Sequence, residues 1–297
     1  MKIFLTGATG FIGSALIPEL IGAGHQVLGL TRTEAGARKL AAAGAERHPG
    51  DLTDINSLRR GVEISDAVIH CAYSHDFSRP EETGRMESQA IEALGSTLAG
   101  TDRPLVITSV TGMGAKAPGE HATEDGYNSH NPRSVTEQAG RLVAGQGANV
   151  SIVRLAQVHN QNRLGFVSSL VEIAREKGVS AYIGEGSNRW SAVHLSDAVR
   201  LYRLALEKAA PGSVYHAVGE EGISLRDIVE AIGKRLNIPA KSLSSGDADS
   251  HFGWLSMFAS MDMSASSALT QKLLGWKPVE PSLLEDIEQL QHSNTSC

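Results

Sequence analysis

Short apolar runs alternate with stretches of helical apolar spacing through the first half of the chain. The runs are rich in β-branched residues and lack an inside–outside alternation, which is typical of strands covered on both faces. Most of the intervening stretches end at glycine, as helices often do. This alternation predicts βαβ units and a parallel, doubly wound sheet. The predicted strands are KIFLTG, QVLGLTR, AVIHCA, LVITSV and VSIVRL, and the predicted helices are SALIPELIGAG, EAGARKLAAAG, DINSLRRGVE, RMESQAIEALGSTLAG and RSVTEQAGRLVAG.

The alternation loosens after about residue 155. We therefore predict an α/β protein with a first domain over residues 1–158 and a smaller α/β lobe over 159–297, with segments around 187–220 returning to the first sheet. In the second part, helices are predicted in GFVSSLVEIAREKG, LSDAVRLYRLALEKA and LRDIVEAIGKRLN, and strands in SAYIGEG and SVYHAVG.

Three glycines follow the first predicted strand and lead into the first predicted helix. Gly7 permits a tight exit from the strand, Gly10 lets the backbone approach a pyrophosphate, and Gly13 lets the helix pack on the strand. The helix N-terminus adds unpaired N–H groups and a partial positive charge. This context predicts a dinucleotide-binding domain of the Rossmann type.

The end of the second predicted strand indicates which dinucleotide is preferred. An NAD site places an acid there for the ribose 2′-hydroxyl, whereas this chain has Thr31 and Arg32, and no acid before Glu34. A guanidinium binds a 2′-phosphate that a carboxylate would repel. NADP(H) is therefore the predicted cofactor, with a solvated strand-end charge as the alternative reading of Arg32.

Composition excludes several classes of protein. The 297 residues carry a formal net charge of −6, with 31 glycines but only 3 Trp, 5 Tyr and 6 Phe. This balance gives no electrostatic case for binding nucleic acid or an anionic membrane, and no window approaches the ~18 apolar residues of a membrane span. The two cysteines suggest no disulfide framework, and the histidines show no zinc-like spacing. We expect a cytoplasmic protein without a metal.

These motifs resemble the extended short-chain dehydrogenase/reductase superfamily. TGATGFIG at 6–13 is similar to its nucleotide signature, GDLTD at 50–54 to its adenine-contacting segment, HCA at 70–72 to its loop after the fourth strand, and VHLSDAV at 193–199 to the return from its substrate lobe. The resemblance implies that Asp51 contacts the adenine. Together the turn and the resemblance imply cofactor contacts from Gly7, Thr9, Gly10, Phe11, Ile12, Gly13, Arg32, Asp51, Leu52, Cys71, Ala72 and Thr108.

The catalytic signature of that superfamily is missing. Its members carry Tyr-x-x-x-Lys, whereas none of the five tyrosines here has a lysine four residues later. Ser109 stands where the resemblance places the catalytic hydroxyl, and Arg133 and Glu137 stand where Tyr and Lys are expected. The chain is most similar to the atypical subgroup that keeps the glycine motif, prefers NADP and lacks the usual tetrad.

Several residues are candidates for the missing acid. Ser109 donates a hydrogen bond but is too weak an acid to act alone. The loop AYSHDFSRPEE supplies His75 and Asp76, either as an acid with its partner or as a plain turn. The loop residue Tyr127 is a further candidate. Arg133 is either a clamp for an oxyanion or carboxylate or a surface charge at a helix start.

Three functions remain open from the sequence. The first is an NADP(H)-dependent oxidoreductase for a small carbonyl or alcohol, over which Phe252, Trp254 and Met257 of the second lobe would close. The second is an epimerase- or dehydratase-like enzyme, or a non-redox isomerase. The third is an NADP-binding redox sensor without catalysis. A small-molecule substrate is the expected partner, and a homodimer is suggested only by analogy with the superfamily.

Overall fold

A computed structural model describes residues 1–74, 79–117 and 119–290. Its strands are β1 (Lys2–Thr6), β2 (Gln26–Thr31), β3 (Glu46–Pro49), β4 (Ala67–His70), β5 (Pro104–Val110), β6 (Asn149–Leu155), β7 (Gln157–His159), β8 (Ser180–Ile183), β9 (Arg189–His194), β10 (Val214–Ala217), β11 (Glu220–Ser224) and β12 (Ala240–Leu243).

The helices lie between and after these strands. They are α1 (Phe11–Gly22), α2 (Glu34–Ala42), α3 (Ile55–Glu63), α4 (Pro80–Leu98), α5 (Ser134–Gly145), α6 (Phe166–Lys177), α7 (Leu195–Lys208), α8 (Leu225–Leu236), α9 (Ala248–Phe252), α10 (Ser256–Ser260), α11 (Ala268–Leu274) and α12 (Leu283–Glu288). Among the residues described, no helix has the length and apolar character needed to cross a membrane.

Within the described ranges, the main sheet has seven parallel strands in the order β10-β6-β5-β4-β1-β2-β3. The predicted α/β fold with a doubly wound parallel sheet is thus confirmed. The chain runs outward from β1 through β2 and β3, and then restarts on the other side of β1 with β4. Such a reversal opens a crevice at the carboxyl ends of the two strands, where ligands bind in folds of this type.

Each face of the main sheet is covered by helices. Ile3 and Leu5 of β1 pack in one apolar cluster with residues of α1 and α7. Phe4, between them, points to the opposite face and packs with residues of α3, α4 and α5. Because both faces are buried, the strands read as continuous apolar runs rather than as alternating ones.

Local capping fixes where several helices begin. The side chain of Thr33 accepts a hydrogen bond from the Gly36 amide at 3.0 Å at the start of α2. Asp54 accepts one from the Ser57 amide at 3.0 Å at the start of α3. Each cap satisfies an N–H group that has no partner inside its helix. The loops at the carboxyl ends of β2 and β3 are therefore short and defined.

The rest of the chain forms a second lobe with its own apolar core, which includes Trp190 and Phe252. Here β9 pairs with β7 and β11, and β8 pairs with β12, while β10 lies in the main sheet. The division of domains at residue 158 stays a prediction. The apolar pattern missed β3, β7, β9, β11 and β12, because these strands are short and mix polar with apolar residues.

The two edge strands of the main sheet, β10 and β3, differ in what surrounds their outer edges. At β10, the His216 amide donates to the Thr270 hydroxyl of α11 at 2.7 Å. The Ser267 hydroxyl, just before α11, donates to the Val218 carbonyl at 2.7 Å. At β3, the exposed residues Glu46 and Arg47 precede Pro49.

Candidate active site and cofactor groove

The glycine turn between β1 and α1 has almost no room for side chains. A methyl group on Gly13 would lie 2.1 Å from the Gly7 carbonyl oxygen, and one on Gly7 would lie 2.7 Å from the Ala72 nitrogen. Gly7 also has a φ of +69°, a left-handed conformation that glycine adopts without strain. The turn is thereby pressed against the start of the loop after β4, at the reversal of the sheet.

Gly10 differs from its two neighbours in the motif. Among the described residues, a methyl group there would have only the Gly7 carbonyl oxygen within 4 Å, at 3.2 Å, and Gly10 is exposed next to Thr9. It also forms the N-cap of α1 without a side-chain hydrogen bond. The bare backbone and the helix N-terminus fit a pyrophosphate. Phe11 and Ile12, the first residues of α1, are half-buried beside this position.

The predicted adenosine end of the groove lies beyond β2 and β3. Arg32 follows β2 and is exposed, and Asp51 follows β3 and is half-buried. Oδ1 of Asp51 accepts hydrogen bonds from the Thr53 amide at 2.7 Å and the Thr53 hydroxyl at 2.6 Å. These bonds, helped by the positive charge of Arg32, lower the pKa of Asp51 against the opposing effect of burial. The neighbouring Leu52 packs against the apolar core under α3.

The residues predicted to lie near the nicotinamide of the cofactor are at the carboxyl ends of β4 and β5. The Thr108 hydroxyl donates to the His70 carbonyl at 2.8 Å and lies 2.7 Å from the Tyr202 hydroxyl. Desolvation raises the pKa of the Cys71 thiol to about 11, so the thiol is neutral at physiological pH. The Ala72 amide donates to the Thr6 hydroxyl at 3.3 Å. Thr108 thus connects β5 to β4. Ala72 connects the end of β4 to β1, at the point where the strand order reverses.

Ser109 is completely buried at the end of β5. Its hydroxyl oxygen has no hydrogen-bond partner among the residues that the structure describes. A reacting oxygen could reach it only if surrounding groups moved. Its role as a hydrogen-bond donor to substrate stays a prediction.

Arg133 stands at the position of the expected tyrosine and points back to the ends of β4 and β5. Its Nη2 donates to the Thr108 carbonyl at 2.8 Å and lies 3.6 Å from Oε1 of Glu87. Its guanidinium carbon lies 3.7 Å from the centre of the Tyr73 ring. The guanidinium therefore lies at the carboxyl ends of β4 and β5 and is not a solvated charge at the helix start.

A buried carboxylate on α4 lies between Arg133 and the first strands. Oε2 of Glu87 is 3.5 Å from Nε2 of His70, whose Nδ1 is 2.7 Å from the Thr6 hydroxyl. Polar groups thus run from the residue before the glycine turn to Tyr73. Sequence reasoning missed Glu87 and gave His70 only as part of the HCA motif, because residues that meet only through the fold have no characteristic spacing.

Glu137, at the position of the family's lysine, and the candidate acid Tyr127 are each held by contacts of their own. Glu137 is buried and pairs with Arg154 of β6. The Tyr127 ring lies under the Arg141 guanidinium at 3.8 Å, and its hydroxyl accepts from the Gln138 side chain at 3.4 Å. These contacts hold Tyr127, a residue of the loop before α5, against the side chains of that helix. The two remaining candidates, His75 and Asp76, lie outside the described residues.

The loop after β7 approaches the start of α1. The guanidinium carbon of Arg163 lies 5.2 Å from the centre of the Phe11 ring, so this exposed arginine is close to the glycine turn. No sequence motif pointed to it. Phe166, three residues later, contacts the rings of Trp254 at 5.9 Å and Phe258 at 4.7 Å.

The three lobe residues predicted to close over substrate differ in exposure. Trp254 is 57% exposed and Met257 60% exposed, whereas Phe252 is 2% exposed and belongs to the core of the lobe. Only the first two present apolar surface to a ligand.

Comparison with known proteins agrees with this geometry. The model of the NAD dependent epimerase/dehydratase family matches residues 3–218. An uncharacterized protein of Schizosaccharomyces pombe is 48% identical over 97% of this chain and 98% of its own length. The sterol-4-alpha-carboxylate 3-dehydrogenase of Dictyostelium discoideum is 29% identical over 76% of this chain and 73% of its own length.

Solved structures show the same fold. The dTDP-glucose 4,6-dehydratase of Streptomyces venezuelae, solved with NAD bound, has a TM-score of 0.77 at 19% identity, covering 97% of this chain and 96% of its own. The predicted resemblance is thus confirmed. The chain belongs to the NAD-dependent epimerase/dehydratase family and has the fold of the extended short-chain dehydrogenases/reductases.

Proposed function

We propose that this protein is an NADP(H)-dependent oxidoreductase that acts on a small carbonyl or alcohol. The choice of NADP(H) as the cofactor is based on the positive charge at the end of β2. Arg32 is exposed there, and the first acid after it, Glu34, is paired with Arg47 at 2.6 Å. A 2′-phosphate would meet guanidinium groups at this end of the groove, and no unpaired carboxylate follows β2 directly.

The remaining contacts support a dinucleotide in the same groove. The N-terminus of α1 and the bare backbone of Gly10 would hold the pyrophosphate. Asp51, whose Oδ1 is engaged by Thr53, would accept from the adenine amino group through its other oxygen. When bound, NADPH supplies a hydride to the substrate carbon.

The residues beside the reacting centre would stabilise charge on the substrate oxygen. Arg133 places a permanent cation there. Ser109 at the end of β5 would add a hydrogen-bond donor only after the groups that bury it have moved. Trp254 and Met257 supply exposed apolar surface that would keep water from the substrate. The Dictyostelium relative is a dehydrogenase by its name, which supports redox chemistry on this scaffold.

Titration of the purified protein with NADPH and NADH tests the proposal. We expect NADPH to bind more tightly, and we expect Arg32→Gln to weaken NADPH about 10- to 100-fold with little effect on NADH, because a charged hydrogen-bond partner is lost. Lys234→Gln, which removes an exposed cation in the second lobe, is the matched control. Equal or tighter binding of NADH would contradict the choice of NADP(H).

The missing Tyr-x-x-x-Lys pair and the family description favour two other candidates. An epimerase- or dehydratase-like enzyme would co-purify with its cofactor and consume no external NADPH. A redox sensor would bind NADPH and oxidise it with none of a panel of aldehydes and ketones. Reproducible NADPH consumption on such a panel distinguishes the oxidoreductase from both.

A further inference from the structure

A tyrosine outside the family signature has the contacts that a proton donor needs. The Tyr73 ring lies under the Arg133 guanidinium, 3.7 Å from its carbon to the ring centre. We propose that Tyr73 donates the proton to the substrate oxygen and that Arg133 is its cationic partner, so that Tyr73 and Arg133 replace the usual Tyr and Lys. The inference rests on the proposed oxidoreductase function and names a catalytic residue for it.

The position of Tyr73 follows from the reversal of the sheet. Tyr73 comes directly after Cys71 and Ala72, whose backbone atoms pack so tightly on Gly7 that a methyl group there would lie 2.7–2.9 Å from them. The residue therefore emerges at the carboxyl end of β4, across the crevice from the glycine turn on β1. A ligand held by that turn has its reacting end on this side of the sheet.

Ser109 and the other four tyrosines are less suited to the task. Ser109 is completely buried, and Tyr202 is completely buried with its hydroxyl bound to Thr108. Tyr127 lies under Arg141 on α5. The two remaining tyrosines lie in other places, Tyr182 in β8 of the second lobe and Tyr215 in the outer strand β10. Tyr73 is half-buried, so a substrate can contact it.

Arg133 is held where it can serve Tyr73. One nitrogen donates to the Thr108 carbonyl at 2.8 Å and lies 3.6 Å from Glu87. The Nε atom is buried and has no hydrogen-bond partner within the described ranges. Because a guanidinium stays charged at every working pH, it favours the negative charge that forms on the phenol oxygen when its proton leaves. In the family's Tyr-x-x-x-Lys signature, the lysine supplies this positive charge beside the tyrosine.

The chemical step balances with the cofactor already proposed. As the hydride from NADPH reaches the carbonyl carbon, the carbon–oxygen π bond breaks and its electrons go to the oxygen. The O–H bond of Tyr73 breaks, and its proton forms the new O–H bond of the product alcohol. The phenolate of Tyr73, beside Arg133, then takes a proton from water, while NADP⁺ and the alcohol leave.

The test begins with Tyr73→Phe, which removes the hydroxyl and keeps the ring under Arg133. We expect turnover of NADPH and the carbonyl that the wild type reduces best to fall about 10²- to 10⁴-fold, the range for loss of a general acid. The affinity for NADPH should not change. The matched control is Tyr182→Phe, which removes a hydroxyl from a ring 5.3 Å from the Arg226 guanidinium and should leave turnover unchanged.

A second readout does not depend on turnover. With ¹³C-labelled tyrosine, the five tyrosines give five ring signals, and Tyr73→Phe identifies the one that is lost. Arg133→Met should shift that signal and lower turnover, and Arg133→Lys should restore part of the turnover. Glu87→Gln, which removes the negative charge beside Arg133 and His70 but leaves the Arg133 bond to the Thr108 carbonyl, should lower turnover less than Arg133→Met does.

The outcomes separate the two proposals. No NADPH oxidation by the wild type on any carbonyl would overturn the proposed function, and the assignment of Tyr73 with it. Wild-type turnover that persists in Tyr73→Phe would overturn only the assignment. A loss in Tyr127→Phe in place of Tyr73→Phe would do the same and would identify the other loop tyrosine as the donor.

Discussion

Glu137 and Arg154 form a doubly hydrogen-bonded ion pair in the interior of the protein. Nε of Arg154 donates to Oε1 at 2.7 Å, Nη2 donates to Oε2 at 2.8 Å, and both side chains are within 1% of complete burial. Arg154 also donates to the Gly126 carbonyl at 3.0 Å. The residue at the family's lysine position therefore joins α5 to β6 and to the loop before α5.

Removing the carboxylate of this pair should destabilise the fold strongly. Glu137→Ala leaves the Arg154 charge buried without a counter-ion, so we expect the free energy of unfolding in urea to fall by about 3–5 kcal/mol. Glu288→Gln, which breaks the exposed pair with Lys234, is the control and should cost less than about 1 kcal/mol. Equal losses in the two variants would show that the buried pair has no special importance. Glu137→Lys should be worse still, because it places two cations together.

Three glycines in and around α1 should respond differently to substitution by alanine. Gly13→Ala should disrupt the turn, because its methyl group would lie 2.1 Å from a carbonyl oxygen. Gly10→Ala should fold with a small loss of stability but lose affinity for NADPH, because the methyl group fills space left for phosphate. Gly22→Ala, at the other end of α1, meets no atom within 4 Å in the described part of the chain and should stabilise the protein by up to about 1 kcal/mol.

Thermal melts and NADPH titration of the three glycine variants check this order. If Gly10→Ala bound NADPH as tightly as the wild type, the pyrophosphate would not contact this turn.

A buried histidine makes stability depend on pH. Nδ1 of His216 lies 2.8 Å from the Ser266 carbonyl oxygen and Nε2 lies 3.3 Å from Nη1 of Arg154, contacts that suit the neutral ring. Burial, and then the charge of Arg154, lower the pKa of His216 to about 4. Between pH 6.5 and pH 4 the unfolded chain therefore binds a proton that the folded protein does not, so stability falls as the pH falls.

The size of this effect follows from the difference between the two states. From pH 7 to pH 5, His216 should lower the free energy of unfolding by about 2 kcal/mol. Urea unfolding at both pH values should show a smaller loss for His216→Asn than for the wild type. His130→Gln, which replaces an exposed histidine, should follow the wild type. A His216→Asn variant with the full wild-type loss would assign the pH dependence to other groups.

The main sheet and the glycine turn could be predicted because their signals are local. Buried parallel strands are continuous apolar runs, and the turn needs glycine at Gly7 and Gly13 for lack of space. In the second lobe, β8 was predicted within SAYIGEG, whereas β7, β9, β11 and β12 escaped prediction because they are stabilised by long-range pairing. In β9, for example, Arg189 precedes the apolar residues and Ser191 interrupts them, and the segment pairs with β7 and β11.

The candidate site divides in the same way. Arg32 directly follows β2, a strand that the apolar pattern predicts, so its position was evident from the sequence. Asp51 follows β3, which the pattern missed, and it was assigned only from the resemblance of GDLTD at 50–54. Tyr73 and Arg133 are sixty positions apart, and Glu87, which lies close to Arg133, is on a third element. Nothing in the spacing of these residues indicates that they meet, because the order of β4 and β5 in the sheet and the packing of α4 on α5 bring them together.

The edge strands of the main sheet determine whether a strand of another molecule can pair with this sheet. A free strand edge offers unpaired N–H and C=O groups on which a second molecule can add a strand. Here side chains from Ser267 and Thr270 occupy backbone groups at the β10 edge, and charged residues and Pro49 disfavour pairing at β3. Growth of the sheet from one molecule into the next is therefore opposed at both edges, and this protects a chain rich in β-branched strands from aggregation.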